Sequence, residues 1–119
     1  MQGPEAGYIE IEPNPRRVLV HFNGQTVADS VRAVTVRESG RPPVHYIPRA
    51  DVDMKLLFRA PHASHCPHKG DAAYYSIHVG VRHATIAVWT YERPYPAVEA
   101  LRDLLAFHPD RVDGIEEEV

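Results

Sequence analysis

Apolar and polar residues alternate along most of this chain in short runs of the kind that half-buried strands produce. Arg17-Val18-Leu19-Val20-His21-Phe22 and Gln25-Thr26-Val27-Ala28-Asp29-Ser30 flank Asn23-Gly24. An Asn-Gly pair supplies the positive φ angles of a type I′ turn, whose twist suits a two-residue hairpin, so two paired strands are predicted here. A third strand is expected over Ala33-Val34-Thr35-Val36-Arg37 and a fourth over Val44-His45-Tyr46-Ile47. Pro42, Pro43 and Pro48 bound the fourth and keep it short, because proline lacks the N–H that a ladder needs. Asp51 to Phe58 reads as one turn, capped by Asp51, followed by a strand. Ahead of the hairpin, Ile9 and Ile11 alternate with Glu10 and Glu12. Residues 1–13 read as a flexible arm with room for one short edge strand.

Further along, Ala72 to Val79 and Val81 to Tyr91 predict two strands around Gly80. In the first, Ala73, Tyr75, Ile77 and Val79 share one face, with Tyr74, Ser76 and His78 on the other. The second alternates less cleanly. Pro94-Tyr95-Pro96 then breaks the sheet, and apolar residues at 97, 98, 101, 104 and 105 have the spacing of one helical face. A short C-terminal helix over 97–105 is expected, with a last strand from Leu104 to Phe107 as the other reading. Residues 114–119, with Glu116-Glu117-Glu118, read as a solvated acidic tail. Many short strands punctuated by Gly and Pro indicate a mainly β, mostly antiparallel domain over residues 14–113.

Composition narrows the class. A chain of 119 residues fits one domain. No apolar run approaches the ~20 residues of a membrane helix. Met1 to Tyr8 has neither a basic flank nor an apolar core, so no signal peptide and no membrane partner are expected, and the expected location is cytoplasmic. A single cysteine agrees with a reducing compartment. The net charge is −3, of which the last ten residues carry −4. A body that close to neutral lacks the cation excess that drives nucleic-acid binding.

Reactive side chains converge on Ser64-His65-Cys66-Pro67-His68-Lys69-Gly70-Asp71-Ala72-Ala73-Tyr74-Tyr75. Cys66, beside His65, His68 and Lys69, sits in a neighbourhood that favours thiolate, which makes it the candidate catalytic residue; the plain alternative is a buried thiol that fills space. Lys69-Gly70 can contact an anion, with lysine as a point charge and a glycine turn presenting N–H groups; it can equally be a turn entering the next strand. His62, His65, Cys66 and His68 are four metal-ligand types in seven residues, but structural zinc draws pairs from separated segments, so a zinc site is the less favoured reading. Tyr46, Tyr74, Tyr75, Trp89 and Tyr91 lie on strands that can line one pocket. Arg17 and Asp29 form either an ion pair or a ligand contact. Asp51 and Asp53 have the spacing of paired metal-binding carboxylates, though capping and solvation explain them more simply.

Taken together, Arg17-Val18, Val27-Ala28-Asp29-Ser30, Pro43-Val44-His45-Tyr46-Ile47-Pro48 with Asp51-Val52, Cys66-Pro67-x-Lys69-Gly70, Tyr74-Tyr75 and Trp89-x-Tyr91 before Pro94 resemble the bacterial domain-of-unknown-function 427 family over about residues 14 to 113. The family carries a nucleotidyltransferase label, and the resemblance implies a small antiparallel two-sheet domain similar to the β-tent fold. His68 departs from the family, which usually has an aromatic residue there, and the Cys-x-x-Cys knuckles of zinc-binding β-tent proteins are missing. The expectation is therefore a domain that binds a small anionic or nucleotide-like ligand in a cleft beside Cys66 to Gly70. Arg17, Tyr46, Cys66, Lys69, Gly70, Tyr74 and Trp89 are the expected contacts, with no cofactor assigned. The alternatives are a non-enzymatic interaction or homodimerisation module with a structural Cys66 loop, and a His/Cys zinc site.

Overall fold

A computed structural model describes residues 9–119. The larger part of the expected N-terminal arm, residues 1–8, lies outside the described residues. Ten strands follow in chain order: β1 (Ile9–Asn14), β2 (Val18–Phe22), β3 (Gln25–Ser30), β4 (Ala33–Glu38), β5 (Val44–Tyr46), β6 (Leu57–Cys66), β7 (Gly70–Val79), β8 (Arg82–Thr90), β9 (Leu105–Phe107) and β10 (Gly114–Glu117). They pair antiparallel into three sheets among the described residues, ordered β1-β4-β5, β10-β2-β3 and β6-β7-β8-β9. The two-sheet expectation is thus corrected to three. Its cause lies in the two residues between Ser30 and Ala33, which let β3 and β4 join different partners although they are adjacent in sequence. No helix among the described residues is long and apolar enough to cross a membrane.

Local chemistry explains most elements. Asn23 and Gly24 have φ of 51° and 77°, the two left-handed positions of the hairpin turn. Pro61 and His62 fall inside β6, where the ladder with β7 skips between Ala60 and Ala63. Because β6 is an edge strand, proline's missing donor costs it little. The uneven alternation of β8 has a local cause in Ile86, which takes a φ of 52° while its backbone N–H donates to Ser76 Oγ at 3.1 Å. The register with β7 shifts there, so residues before and after it keep their sides of the sheet.

The expected C-terminal helix is replaced. Pro96–Leu101 forms a short 3-10 segment kinked at Val98, and Leu105–Phe107 becomes β9. Leu105 and Ile47 exchange both backbone hydrogen bonds at 2.8 Å, and Val88, Trp89 and Thr90 pair with Phe107, Ala106 and Leu105. Those long-range pairs outweigh the local helix preference of these residues, since tertiary context overrides propensity. Nor is the acidic tail free: Gly114–Glu117 pairs with His21–Val18 as β10.

The strands of the four-stranded sheet turn alternate residues to two cores. Tyr75, Ile77, Val88, Leu105 and Phe107 pack with Val18, Val20, Phe22 and Val27 of the β2-β3 hairpin. Ala72, Tyr91 and Ala106, with Tyr74 and Trp89 beside them, pack with Val36 and Tyr46 of β4 and β5. That second cluster is the smaller and leaves a space open.

Candidate functional site

The space is a cavity of about 570 Å³ between β4-β5 and the ends of β6, β7 and β8. The chain reaches it through a hairpin: β6 runs to Cys66, Pro67 to Lys69 form the turn, and β7 starts at Gly70. The reactive stretch read as a loop is thus a strand end and a tight turn. Gly70 has φ of 113°, and a Cβ there would lie 3.3 Å from the Arg93 carbonyl oxygen, so the position demands glycine. Tyr95 N–H donates to the Lys69 carbonyl at 2.9 Å and holds the turn against the Arg93–Tyr95 segment.

This clamping buries Lys69, which is only 4% exposed. Its Nζ donates to Glu38 Oε1 at 2.6 Å and lies 4.0 Å from Cys66 Sγ. Glu38 stands at the end of β4, and the Glu38 side chain is 10% exposed. A lone buried ammonium or carboxylate is strongly disfavoured, so the two charges answer each other across the cavity wall. The ammonium expected to meet a ligand already has a resident partner.

The walls are aromatic. Cross-strand pairing sets Tyr74 beside Trp89. Trp89 Nε1 donates to Tyr46 Oη at 3.1 Å, with the two rings nearly perpendicular. Tyr46 accepts that bond, so its own proton is free to be donated. The Tyr46 phenol is pushed up to about 12, mainly by burial, and Tyr91 is also raised by burial. Both are therefore neutral donors at ordinary pH. Tyr91 is 7% exposed, lines the cavity, and among the described residues has no hydrogen-bond partner for its hydroxyl. Tyr74 Oη pairs with Ser64 Oγ at 2.8 Å.

At the cavity wall, Arg41 is exposed and carries a guanidinium with no side-chain partner among the described residues. His108 packs on Trp89 with ring centroids 4.4 Å apart, and burial holds its imidazole below the usual range, favouring the neutral form. His65 is engaged at both ring nitrogens, by Asp71 at 2.7 Å and Tyr95 Oη at 3.3 Å. The charges lining the cavity are thus a Glu38–Lys69 pair and an unpaired Arg41.

Of the expected contacts, Tyr46, Cys66, Lys69, Tyr74 and Trp89 line the cavity together. Gly70 shapes the turn behind it. Arg17 does not come near: it forms a two-bond pair with Asp29 on the β2-β3 hairpin, at 2.9 and 2.8 Å. Tyr75 faces the other core. Of the four histidine and cysteine candidates for a metal, His62 packs its ring edge against Tyr74 and His68 is exposed at the turn. Among the described residues no three His, Cys, Asp or Glu side chains gather as a metal-binding group. Asp51 accepts from Ser30 and Arg32, and Asp53 caps the short 3-10 turn Met54–Leu56 through Lys55 N–H. The capping role read for Asp51 thus belongs to Asp53.

Glu38 and Arg41 were missed by sequence reasoning. Glu38 ends β4 and Arg41 sits in the polar stretch that follows, where charges ordinarily belong to solvent, and nothing local marks them. Only the pairing of β4 with β5, across from the Lys69 turn, brings them to the cavity.

The sequence model of a family described as Domain of unknown function (DUF427) matches residues 10–118. No curated protein matches the chain.

Proposed function

The chain belongs to the DUF427 family, and from that premise we propose that it is a binding domain for a small anionic, nucleotide-like molecule held in the cavity between β4-β5 and β6-β8. One observation carries the reading: Tyr91, a residue only 7% exposed, lines a cavity of about 570 Å³, and its hydroxyl has no hydrogen-bond partner among the described residues. A ligand acceptor within reach of that hydroxyl would gain a hydrogen bond, worth about 0.5–1.5 kcal/mol. The volume lies within the range of small-molecule sites.

The choice of an anion rests on charge. Glu38 and Lys69 cancel, His108 is held neutral, and Arg41 is left over. Tyr46 and Tyr91 add neutral donors, and the faces of Trp89 and Tyr74 offer stacking surface for a planar group. Arg41 takes the anion-contact role first given to Arg17. Cys66 remains a site residue as a cavity-lining thiol 4.0 Å from the Lys69 ammonium. The family's nucleotidyltransferase label draws no support from Asp51 and Asp53, whose oxygens are engaged by Arg32, Ser30 and the Lys55 N–H rather than converging on a shared point. The β-tent likeness belongs to the same proposal, supported by the antiparallel pairing and modified by the third sheet.

Trp89 is the only tryptophan, so its emission reports the cavity directly. Titration of the untagged chain with a nucleotide and metabolite panel is expected to find an anion that changes this emission and raises the melting temperature. Tyr91→Phe and Arg41→Ala are expected to weaken that binding by about tenfold each, the worth of one hydrogen bond to a charged group. Binding that persists unchanged in both variants would overturn the assignment of the site.

A further inference from the structure

A second cavity of about 290 Å³ adjoins the first and is lined by Val20, Ile47, Phe107 and Ile115 among others. Pro42, Val44 and Trp89 line both spaces. The segment after β9 also spans them: His108 lines the first while Phe107 and Pro109 line the second. The two are therefore neighbours that share Pro42, Val44 and Trp89 along one side.

Their chemistry differs sharply. The first offers two phenols, Arg41 and the Glu38–Lys69 pair. The second holds polar side-chain atoms only on His45 and Trp89, and these are turned to other partners. His45 Nδ1 lies 2.9 Å from Thr35 Oγ1 and its Nε2 lies 3.8 Å from Glu117, while Trp89 Nε1 donates to Tyr46. A recess that is mainly apolar and offers no free side-chain donor or acceptor holds water poorly and favours an apolar occupant.

We infer that the ligand is an amphipathic anion, whose charged end lies in the first compartment at Arg41 and Tyr91 and whose apolar end fills the second compartment against Ile47, Phe107 and Ile115. This rests on the anion-binding reading above and extends it by naming the other end of the molecule. Adjacency selects the occupant: the apolar cavity lies beside the anion site with Trp89 lining both, so a single molecule that passes Trp89 reaches both.

The test is a series of straight-chain carboxylates, butanoate, hexanoate and octanoate, titrated against the full chain by calorimetry and Trp89 emission. Affinity is expected to rise by about fourfold per added methylene, which corresponds to ~0.8 kcal/mol for each buried CH₂, until the second compartment is full. Ile115→Phe, which fills that compartment, is expected to flatten the series. A flat series in the native chain overturns the inference while leaving the anion site standing, as does a slope that Ile115→Phe leaves intact. Failure of every member to bind overturns the inference as well. Arg41→Ala separates the two readings: if it binds the whole series as the native chain does, the anion site fails whatever the slope. Should Ile115→Phe not fold, the native series alone decides.

Discussion

Removing one charge of the Glu38–Lys69 pair is the sharpest perturbation available. Lys69→Met keeps the length and apolar stem of the side chain and deletes the ammonium that lies 2.6 Å from Glu38 Oε1. The two side chains are 5% and 10% exposed, so the abandoned carboxylate has little water to turn to. Breaking a buried pair costs about 3–5 kcal/mol. Because Glu38 borders an open cavity, the lower end applies. That is a large share of the ~5–15 kcal/mol that holds a domain together. With a urea dependence of about 2 kcal/mol per molar, the unfolding midpoint is expected to fall by roughly 1.5 M. Glu38→Gln removes the stranded charge, so the double variant Glu38→Gln/Lys69→Met is expected to unfold later than Lys69→Met alone, with a coupling energy of about 2 kcal/mol. Urea unfolding followed by Trp89 emission and far-ultraviolet circular dichroism, on both single variants and the double, measures all the terms. Effects that add to within about 0.5 kcal/mol would refute the reasoning, because they would mean that cavity water solvates each charge separately.

Three further outcomes follow from the polar side chains of Thr90 and Tyr46. Thr90 is fully buried and its Oγ1 has no hydrogen-bond partner among the described residues; Thr90→Val is expected to raise stability by about 1 kcal/mol, and a loss in urea unfolding would show that the hydroxyl is satisfied. Tyr46→Phe removes the acceptor of the Trp89 indole N–H and is expected to cost about 1–3 kcal/mol together with a shift in Trp89 emission; an unchanged spectrum would mean that this bond does not form in solution. Burial raises Tyr46 from 10.0 to about 12, so the folded state keeps this proton where the unfolded state loses it. Its contribution to stability is complete below pH 10 and falls as pH rises through about 12. Phenolate absorbance should therefore show Tyr46 titrating late, with unfolding easier as pH climbs in that window, and a Tyr46→Phe variant should lose part of this dependence.

Much of the fold was legible because its signals are local. Asn23-Gly24 dictates a turn whatever surrounds it, and the run from Ala72 to Val79 displays its two faces in the order of its residues. The candidate site was legible in part for the same reason. Tyr46, Cys66, Lys69, Tyr74 and Trp89 were recognisable as unusual residues on strands or beside a turn, and they do meet. Arg17 stood out equally as a cation in a strand, yet its partner Asp29 lies across the hairpin, and spacing alone does not tell an internal ion pair from a ligand contact. The helix expected over 97–105 failed although most of its residues are good helix formers, since Leu105 gains a backbone partner in Ile47, far away in sequence.

The sequence by itself determined a mainly β chain, the first hairpin, and a concentration of aromatic and reactive residues around positions 64–75. Those features depend on turn chemistry and on the two-residue period of a strand, which act over a few neighbours. The three-sheet arrangement, the recruitment of residues 114–117 into β10, and the burial of Lys69 against Glu38 were decided only by tertiary structure. A charge is a ligand contact or a structural partner according to what the fold places across from it. Glu38 and Lys69, 31 residues apart, become partners only when β4 and the turn after β6 border the same cavity.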